Sequence, residues 1–374
     1  MISIARTDTS PLGIWWWTVD RWSLIALGLI MGFGAVLILA ASPAAGERIG
    51  LDGFYLASRQ IAYLTLAAAV MFGVSLLTPL WVRRMAVVGF GGGLLMLALT
   101  LVVGAEINGA HRWIHLAGVS VQPSEFVKPF FAVTCAWMFA AQREEQAIPG
   151  NAIAIALLAS VAALLLLQPD LGQTVVVAAV WGVQFFVAGL PLIWVVGLGL
   201  SAIGLLVGAY FLLPHVADRI DTFFNPAAGD RYQVNRSLEA FERGGLLGQG
   251  PGEGTVKATL PDAHSDFIFA VAGEELGAVA CLIIVGLFAF IVLRGFSRLL
   301  QEDNLFVLLA ATGLLTQFGL QAMINMGSSL HLMPTKGMTL PFISYGGSSL
   351  LALALGMGMV LALTRRRVDR GERL

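Results

Sequence analysis

A group of ionisable residues lies beside an apolar stretch in the segment 260–277, LPDAHSDFIFAVAGEELG. Asp262, His264 and Asp266 precede the apolar stretch, and two glutamates lie within it. Ionisable side chains are costly to keep in or beside an apolar helix, so they usually mark a functional site. A carboxylate at this position could take a proton from a hydroxyl group, as a general base does.

Helix geometry separates the first carboxylates of this segment from the later ones. Glu274 and Glu275 follow Asp266 by eight and nine residues, which is about 12–14 Å along a helix. At about 100° per residue, Glu274 lies roughly 80° from the direction of Asp266, and Glu275 lies nearly opposite to it. We therefore interpret the two glutamates as paired structural charges, with Lys128 or Arg112 as partners.

The composition indicates that these residues belong to a polytopic membrane protein. Of the 374 residues, 57% are hydrophobic and 12% are charged, whereas soluble domains carry about 25% charged residues. The mean hydropathy is +0.82. The net charge of −1, with like charges concentrated only at the C-terminus, excludes a nucleic-acid partner. Cys135 and Cys281 lie in apolar runs and are predicted to be buried small hydrophobic residues.

About ten apolar runs are long enough to cross the ~30 Å hydrocarbon core of a membrane. They lie near residues 23–41, 59–77, 84–104, 126–141, 151–168, 171–188, 191–213, 267–293, 305–325 and 342–363. The sequence therefore predicts an all-α polytopic membrane protein with a long external loop between the seventh and eighth spans. We expect a single domain over 1–374. Its parts are an N-terminus at 1–22, seven spans at 23–213, the loop at 214–266, three spans at 267–363 and a basic tail at 364–374.

The distribution of Lys and Arg in the short connections predicts the orientation of the chain. One set of connections contains Arg6, Arg21, Arg83, Arg84, Arg143, Arg294, Arg298, Arg365, Arg366, Arg367, Arg370 and Arg373. The opposite set contains only Arg48, Arg59, Arg112, Lys128 and Lys336. Because basic residues concentrate on the cytoplasmic side, both termini are predicted to be cytoplasmic. Segments 105–125, 214–266 and 326–341, where polar residues cluster, are then external.

The segment 214–266 is too long for a simple connection, and loops of this length are often functional. Within it, residues 232–243 place Val234 and Phe241 on one helical stripe among charged residues. This pattern predicts a short helix that either lies on the membrane surface or packs on the rim of the protein. The glycine-rich segment 244–254 lacks the Gly-Lys-Ser/Thr ending of a phosphate loop, so we interpret it as a flexible turn.

Three further polar segments accompany the first. They read GAHRWIHLAGVSVQPSEFVK at 109–128, QPDLG at 168–172 and MPTKGMTLPFISYGGSS at 333–349. Glu125 and Lys128 are three residues apart, so on a helix they share a face. They could neutralise each other inside the bundle or contact a ligand.

Single polar residues in these segments also have two interpretations each. Ser124 follows Pro123 and fits the N-cap of the fourth span. Asp170 lies between two apolar runs, where it could cap a helix or contact a substrate. Lys336 is a lone cation near Ser344 in an external loop. It fits a phosphate contact, or a lysine whose stem extends along apolar surface to the interface.

Together these four segments resemble the SEDS family of bacterial cell-wall polymerases. The resemblance covers nearly the whole chain, including the number of spans and the position of the long loop. Within the family, Pro334–Gly337 is similar to the septal form. The resemblance implies a peptidoglycan glycosyltransferase that polymerises lipid II into glycan strands outside the bacterial cytoplasmic membrane, at the division septum.

The resemblance also implies roles for single residues. It places the family's essential aspartate at Asp266, which we expect to be the catalytic base. On the residues alone, Asp266 could instead be a helix N-terminal carboxylate, stabilised by about 0.3–1 kcal/mol. It could also hold Mg²⁺ or Mn²⁺ against the pyrophosphate group of lipid II. Apart from this possible divalent cation, we predict no cofactor and no set of metal ligands. Substrate binding is expected at Arg112, Trp113, Gln122, Ser124, Glu125, Lys128, Asp170, His264, Lys336, Ser344 and Tyr345.

Two other functions could use the same residues. A lipid II flippase would hold the head group with these charges at the middle of the membrane, and a non-catalytic division scaffold would leave them unused. Because the polar residues of the four segments lie mostly on the predicted external side, a catalytic function is favoured over transport. The implied partners are lipid II, membrane lipids, a class B penicillin-binding protein that acts as the septal transpeptidase, and other membrane proteins of the divisome.

Overall fold

The computed structural model describes residues 10–48, 50–107, 110–116, 119–144, 148–189, 192–212, 217, 220, 221, 223, 232–334 and 337–366. Most of this chain is helical. The helices are α1 (Pro11–Thr18), α2 (Arg21–Arg48), α3 (Tyr55–Ser75), α4 (Pro79–Val103), α5 (Pro123–Arg143), α6 (Gly150–Leu167), α7 (Leu171–Val187), α8 (Leu192–Leu212), α9 (Tyr232–Gly244), α10 (Ile268–Leu299), α11 (Leu305–Ser329) and α12 (Gly347–Leu363), with a 3₁₀ turn at Val256–Ala258.

The apolar helices follow the predicted spans. Six of the described helices are long and apolar enough to cross a membrane, namely α2, α3, α4, α6, α10 and α11. The apolar helices α7 and α12 are shorter, and α5 and α8 coincide with the two remaining predicted spans. The prediction of an all-α polytopic membrane protein is confirmed, whereas the number of spans and the division of the chain into parts stay predictions. Cys135 and Cys281 are free and buried, as predicted.

A small antiparallel sheet follows α4, and the sequence analysis did not predict it. Its strands are β1 (Ala105–Ile107), β2 (Ala110–Leu116) and β3 (Val119–Val121), in the order β1-β2-β3. Trp113 of β2 pairs with Ala105, and His115 pairs with Ser120. Each strand is short, and only some of its residues are β-branched. The segment therefore shows no clear alternation of apolar and polar residues that would predict strands.

The polar segments meet at one end of the bundle. The backbone N–H of Gln122 donates to Ser348 Oγ at 3.1 Å, which joins the start of α5 to the start of α12. Ser344 Oγ donates to the carbonyl oxygen of Ser265 at 2.6 Å, which joins the loop before α12 to the loop before α10. We call this end, formed by residues 104–107, 110–116, 119–122, 245–267 and 337–346, the polar end.

Helix α2 is held at both of its ends. Asp20, just before α2, accepts hydrogen bonds from Arg294 of α10 at 2.6 and 2.8 Å. At the polar end, Arg48 Nη1 donates to the carbonyl oxygen of Leu260 at 2.8 Å, and Arg48 also binds the carbonyl of Ala258. The loop that leads to Asp266 is therefore fixed to the end of a membrane-spanning helix.

Helix α10 is interrupted at Gly277, whose backbone is non-helical with φ 79° and ψ 177°. The interruption leaves backbone N–H and C=O groups of α10 without helical hydrogen-bond partners, and the segment 245–250 supplies partners for them. Ala278 N donates to Gly245 O at 2.9 Å, and Gln249 N donates to the carbonyl of Glu274 at 2.9 Å. The glycine-rich segment, predicted to be a flexible turn, is thus paired with α10 over several residues.

Helix α9 packs on the protein, as one of the two interpretations of this segment predicted. Ser237 and Ala240 are buried, and Ser237 Oγ donates to the carbonyl of Ser329 at 2.7 Å. The ring of Phe241 lies 5.7 Å from that of Phe269 in an edge-on contact. The rim of the protein, rather than the membrane surface alone, receives the apolar stripe of this helix.

Candidate functional site

Asp266 lies in the turn before α10 with a half-buried side chain. Within the described part of the chain, its carboxylate has no hydrogen-bond or ion-pair partner. A Cβ built on Gly337 would lie 3.4 Å from Asp266 Oδ2. The segment that follows Lys336 therefore borders this carboxylate, although Lys336 itself lies outside the described residues.

The surroundings of Asp266 make it a stronger base than an ordinary aspartate. Burial raises the pKa of Asp266 to about 6, and the nearby Asp262 carboxylate acts in the same direction. The residue at the N-cap of α10 is Phe267, and no side chain caps this helix. Asp266 lies one residue before this N-cap and makes no capping hydrogen bond, and its interpretation as a carboxylate stabilised by the helix N-terminus stays a prediction.

The loop that carries Asp266 is fixed to the loop before α12. Tyr345 N donates to the carbonyl of His264 at 2.8 Å, and the rings of these two residues lie 5.6 Å apart. Burial lowers the pKa of His264, and Arg48 lowers it in addition, while Asp262 acts in the opposite direction. The structure thus brings Asp266, His264, Ser344 and Tyr345 together, and His264 is uncharged near neutral pH.

Glu274 and Glu275 bind the long loop and neither Lys128 nor Arg112. Glu274 accepts from the backbone N–H of Val256 at 2.6 Å and from that of Lys257 at 2.9 Å. Glu275 accepts from the Lys257 ammonium and from the backbone N–H groups of Gly252 and Gly254. The expected partners were wrong because backbone donors and a lysine 18 residues away satisfy both carboxylates.

Arg112 and Asp170 lie together at the polar end. Arg112 Nε lies 3.6 Å from Asp170 Oδ2 and donates to the carbonyl of Gln168 at 3.1 Å. Asp170 also caps α7 by accepting from Gln173 N at 3.2 Å. Trp113 is half-buried on β2 beside Arg112. The capping interpretation of Asp170 describes these contacts, and its substrate contact stays a prediction.

Glu125 and Lys128 form a buried ion pair on α5. Lys128 Nζ lies 3.0 Å from Glu125 Oε1, and the side chains of the lysine and the glutamate are only 3% and 5% exposed, respectively. Gln173 Nε2 also donates to Glu125 Oε1 at 2.7 Å, and Lys128 Nζ donates to Gln321 at 3.3 Å. Mutual neutralisation is thus the arrangement present. Glu125 Oε2 is buried without a hydrogen-bond partner among the described residues.

The start of α5 differs from the predicted one. Gln122 occupies the N-cap and Pro123 the first helical position, so Ser124 is not the N-cap. Proline suits that position because its missing N–H would have no partner there. Ser124 Oγ is buried and has no partner within the described ranges. Its predicted contact with substrate, like that of Gln122, remains a prediction.

Several residues at this site were missed in the sequence. Asn325 Nδ2 donates to the carbonyls of Asp266 and Met338, at 2.9 and 2.6 Å. Gln321 Nε2, one turn earlier, donates to the carbonyl of Thr339 at 3.2 Å. Two side-chain amides four residues apart lie on one face of an apolar helix. This pattern indicates a polar contact inside the bundle, so the sequence could have predicted both residues. In the sequence, Arg59 contributed only to the prediction of how the chain is oriented in the membrane.

The described residues contain no cluster of potential metal ligands. No group of three or more His, Cys, Asp or Glu side chains in the described part of the chain could hold a metal ion. The carboxylates of Asp262 and Asp266 are the acidic pair beside α10, and Mg²⁺ is usually bound by one or two carboxylates together with substrate phosphates, so an ion held by Asp266 against a pyrophosphate stays a prediction.

Comparison with known proteins identifies the family. The FtsW, RodA and SpoVE family, described as "Cell cycle protein", matches residues 21–368. The chain belongs to this family. It is 45% identical over 366 residues to a probable peptidoglycan glycosyltransferase FtsW of Caulobacter vibrioides, covering 98% of this chain and 94% of that protein. A probable FtsW of Geobacter metallireducens is 35% identical, covering 93% of this chain and 96% of that protein.

Solved structures share the fold of this family member. Thermus thermophilus RodA is similar with a TM-score of 0.69 and 30% identity, covering 93% of this chain and 97% of that one. A chain from a structure described as coordinating polymerisation and crosslinking in a peptidoglycan synthase complex has a TM-score of 0.76. It is 31% identical and covers 92% of this chain and 97% of that one. The predicted family resemblance is confirmed.

Proposed function

We propose that this chain is a peptidoglycan glycosyltransferase that polymerises lipid II into glycan strands. The 4-hydroxyl of the acceptor sugar attacks the anomeric carbon of the donor, and the bond from that carbon to the pyrophosphate breaks. Asp266 takes the hydroxyl proton, and undecaprenyl pyrophosphate leaves with the bonding electrons. The exchange of an α-linked pyrophosphate for a β-linkage in one step is an inversion, so no covalent sugar–enzyme intermediate forms.

The carboxylate of Asp266 is the observation that carries this proposal. A general base must be deprotonated and free to accept a hydrogen bond, and it works best when its pKa is near the working pH. Asp266 is half-exposed, has no partner in the residues described and has a pKa raised to about 6. The names of the FtsW relatives support the same reaction class.

We also propose the setting in which the reaction takes place. Both termini lie in the cytoplasm, so the polar end lies outside the cytoplasmic membrane, where the glycan is built. A class B penicillin-binding protein crosslinks the product at the division septum, together with other divisome membrane proteins. One structurally similar chain comes from a complex described as coordinating polymerisation with crosslinking, which supports a partner of this kind.

A reconstituted assay tests the proposal. Purified protein, with and without its transpeptidase partner, is incubated with lipid II, and glycan chains are measured. Asp266→Asn and Asp266→Ala should abolish chain formation while leaving the melting temperature unchanged. Asp303→Asn, at an exposed position between α10 and α11, is the matched control and should remain active. Undiminished synthesis by both Asp266 variants would refute the assigned base. Movement of lipid II across vesicles without polymerisation would support the flippase instead.

A further inference from the structure

A cluster of one arginine and two tyrosines lies on the first turns of α3, beside the polar end. Arg59 Nη1 donates to the Tyr55 hydroxyl at 3.1 Å, and Arg59 Nη2 donates to the Tyr63 hydroxyl at 2.8 Å. The guanidinium carbon lies 5.6 and 5.7 Å from the centres of the two rings. The four-residue spacing places all three side chains on one face of α3. The guanidinium is thereby held in a defined direction.

No described carboxylate neutralises the charge of this cluster. No carboxylate of a described residue lies within 4 Å of Arg59, whereas the buried or half-buried cations Arg112, Lys128 and Lys257 each have one. The two tyrosine hydroxyls accept hydrogen bonds from Arg59, so each keeps its own O–H to donate. The cluster offers donors and a positive charge, and it suits an anion.

The cluster is joined to the loop that carries Asp266. Gln60, next to Arg59, donates through Nε2 to the carbonyl of Ser344 at 2.8 Å and accepts from Gly346 N at 3.4 Å. The Ser344 hydroxyl in turn donates to the carbonyl of Ser265, which precedes Asp266. A single residue, Ser344, therefore connects the start of α3 to the loop of the expected base.

The cluster is also open to a ligand. Tyr55 is 39% exposed, and the side chains of Arg59, Tyr63 and Tyr345 are half-buried. Arginine binds phosphate oxygens through two parallel N–H groups, and tyrosine is favoured at the height of lipid head groups. A phosphate attached to a polyprenyl chain stays at this height, because its chain remains in the bilayer.

We propose that Arg59, with the hydroxyls of Tyr55 and Tyr63, binds the pyrophosphate of the polyprenyl-linked donor. This inference rests on the proposed polymerisation of lipid II. Arg59 neutralises charge on the pyrophosphate while the bond to the anomeric carbon breaks, and it holds the leaving group beside the loop of Asp266. Bulk phospholipid presents the same phosphate chemistry, so the test has to separate the two sources.

Steady-state kinetics of the full chain with its partner, in phospholipid-free detergent, test the site. Arg59→Gln should raise the KM for lipid II at least about tenfold and weaken inhibition by added undecaprenyl pyrophosphate by a similar factor. Arg59→Lys keeps the charge but loses the two-pronged contact, so it should fall between Arg59→Gln and the unmodified protein. It also serves as the reporter if Arg59→Gln does not fold. Arg84→Gln, an exposed arginine near the start of α4, is the control and should change neither value.

The outcomes separate this inference from the proposed function. If the unmodified protein makes glycan and depends on Asp266, while Arg59→Gln and Arg59→Lys leave KM and product inhibition unchanged, the pyrophosphate site is refuted and the polymerase stands. If the Arg59 variants differ from the unmodified protein only in nanodiscs and not in phospholipid-free detergent, the cluster binds bulk lipid head groups, which also refutes the inference. If the unmodified protein makes no glycan, the proposed function itself fails.

Discussion

The side-chain amide of Asn325, on α11, donates a hydrogen bond of 2.9 Å to the backbone carbonyl of Asp266. The same amide nitrogen donates to the carbonyl of Met338 at 2.6 Å. One buried side chain therefore holds two loops, the one that carries the expected base and the one that follows Lys336. Because α11 is largely buried, it provides a rigid support for both.

Replacement of Asn325 by leucine should destabilise the polar end. The variant leaves one buried and one partly buried carbonyl without this donor, which costs about 1–3 kcal/mol of unfolding free energy. Asp266 would then be less well positioned, so kcat should fall more than KM rises. Thermal unfolding in detergent and steady-state synthesis of glycan from lipid II measure the two effects.

Gln317→Leu is a matched control on the same helix. Gln317 is also buried, but in contrast to the Asn325 amide nitrogen, its side chain makes no hydrogen bond to another described residue. Its replacement by leucine should leave the melting temperature unchanged or raise it, with normal synthesis. Equal losses of kcat in Asn325→Leu and Gln317→Leu would show that α11 tolerates no such change, and would contradict a specific role for Asn325.

The pH dependence of synthesis should report the raised pKa of Asp266, which is about 6. The base acts in its deprotonated form, so the rate should be constant above this pKa and fall about tenfold per pH unit below it. Asp262→Asn removes a negative charge that contributes to the raised pKa, so the acidic limb should move to lower pH.

Asparagine is the appropriate replacement at this position. Asp262 has a positive φ of 51°, which asparagine adopts readily. The variant therefore tests the charge without straining the turn. Measurement of kcat/KM between about pH 4.5 and 8 covers both the falling limb and the plateau, because this range brackets a pKa of about 6. An acidic limb that stays in place, or moves upward, would contradict the coupling between the two carboxylates.

The sequence predicted where Asp266 lies relative to its helix better than it predicted the contacts of the neighbouring carboxylates. Asp266 was expected at the start of a helix because charge and hydropathy change together there. Such a change along the chain is visible in the sequence itself. The partners of Glu275 were not predictable in this way. They include backbone N–H groups, which every residue except proline carries, and Lys257 in a long loop whose path has no periodic signal.

The buried pair of Glu125 and Lys128 lends itself to a double-mutant cycle. Glu125→Gln or Lys128→Met alone leaves one buried charge without its partner, which should lower the unfolding free energy by about 3–5 kcal/mol. The double variant removes both charges and should regain most of the melting temperature. A double variant as unstable as the sum of the single variants would contradict the ion pair.

The activity of the same double variant tests the predicted contact with substrate. Glu125 Oε2 is buried and has no hydrogen-bond partner in the described part of the chain, so its capacity to accept a hydrogen bond is unused. We therefore expect the double variant to synthesise glycan at least about tenfold more slowly than the unmodified protein, as the loss of one hydrogen bond to a charged group implies. Full activity would assign the pair to structure alone.

The interruption of α10 at Gly277 should tolerate no side chain. Its φ of 79° with ψ 177° is a conformation open essentially only to glycine, and a Cβ there would lie 2.4 Å from Gly248 N and 2.5 Å from the carbonyl oxygen of Leu246. Gly277→Ala should thus lower the unfolding free energy by at least about 1–3 kcal/mol and release the segment 245–250 to proteolysis. Gly286→Ala, in the same helix with open space around it, should be neutral or stabilising by up to about 1 kcal/mol. Equal melting temperatures for the two variants would show that the loop does not depend on this interruption.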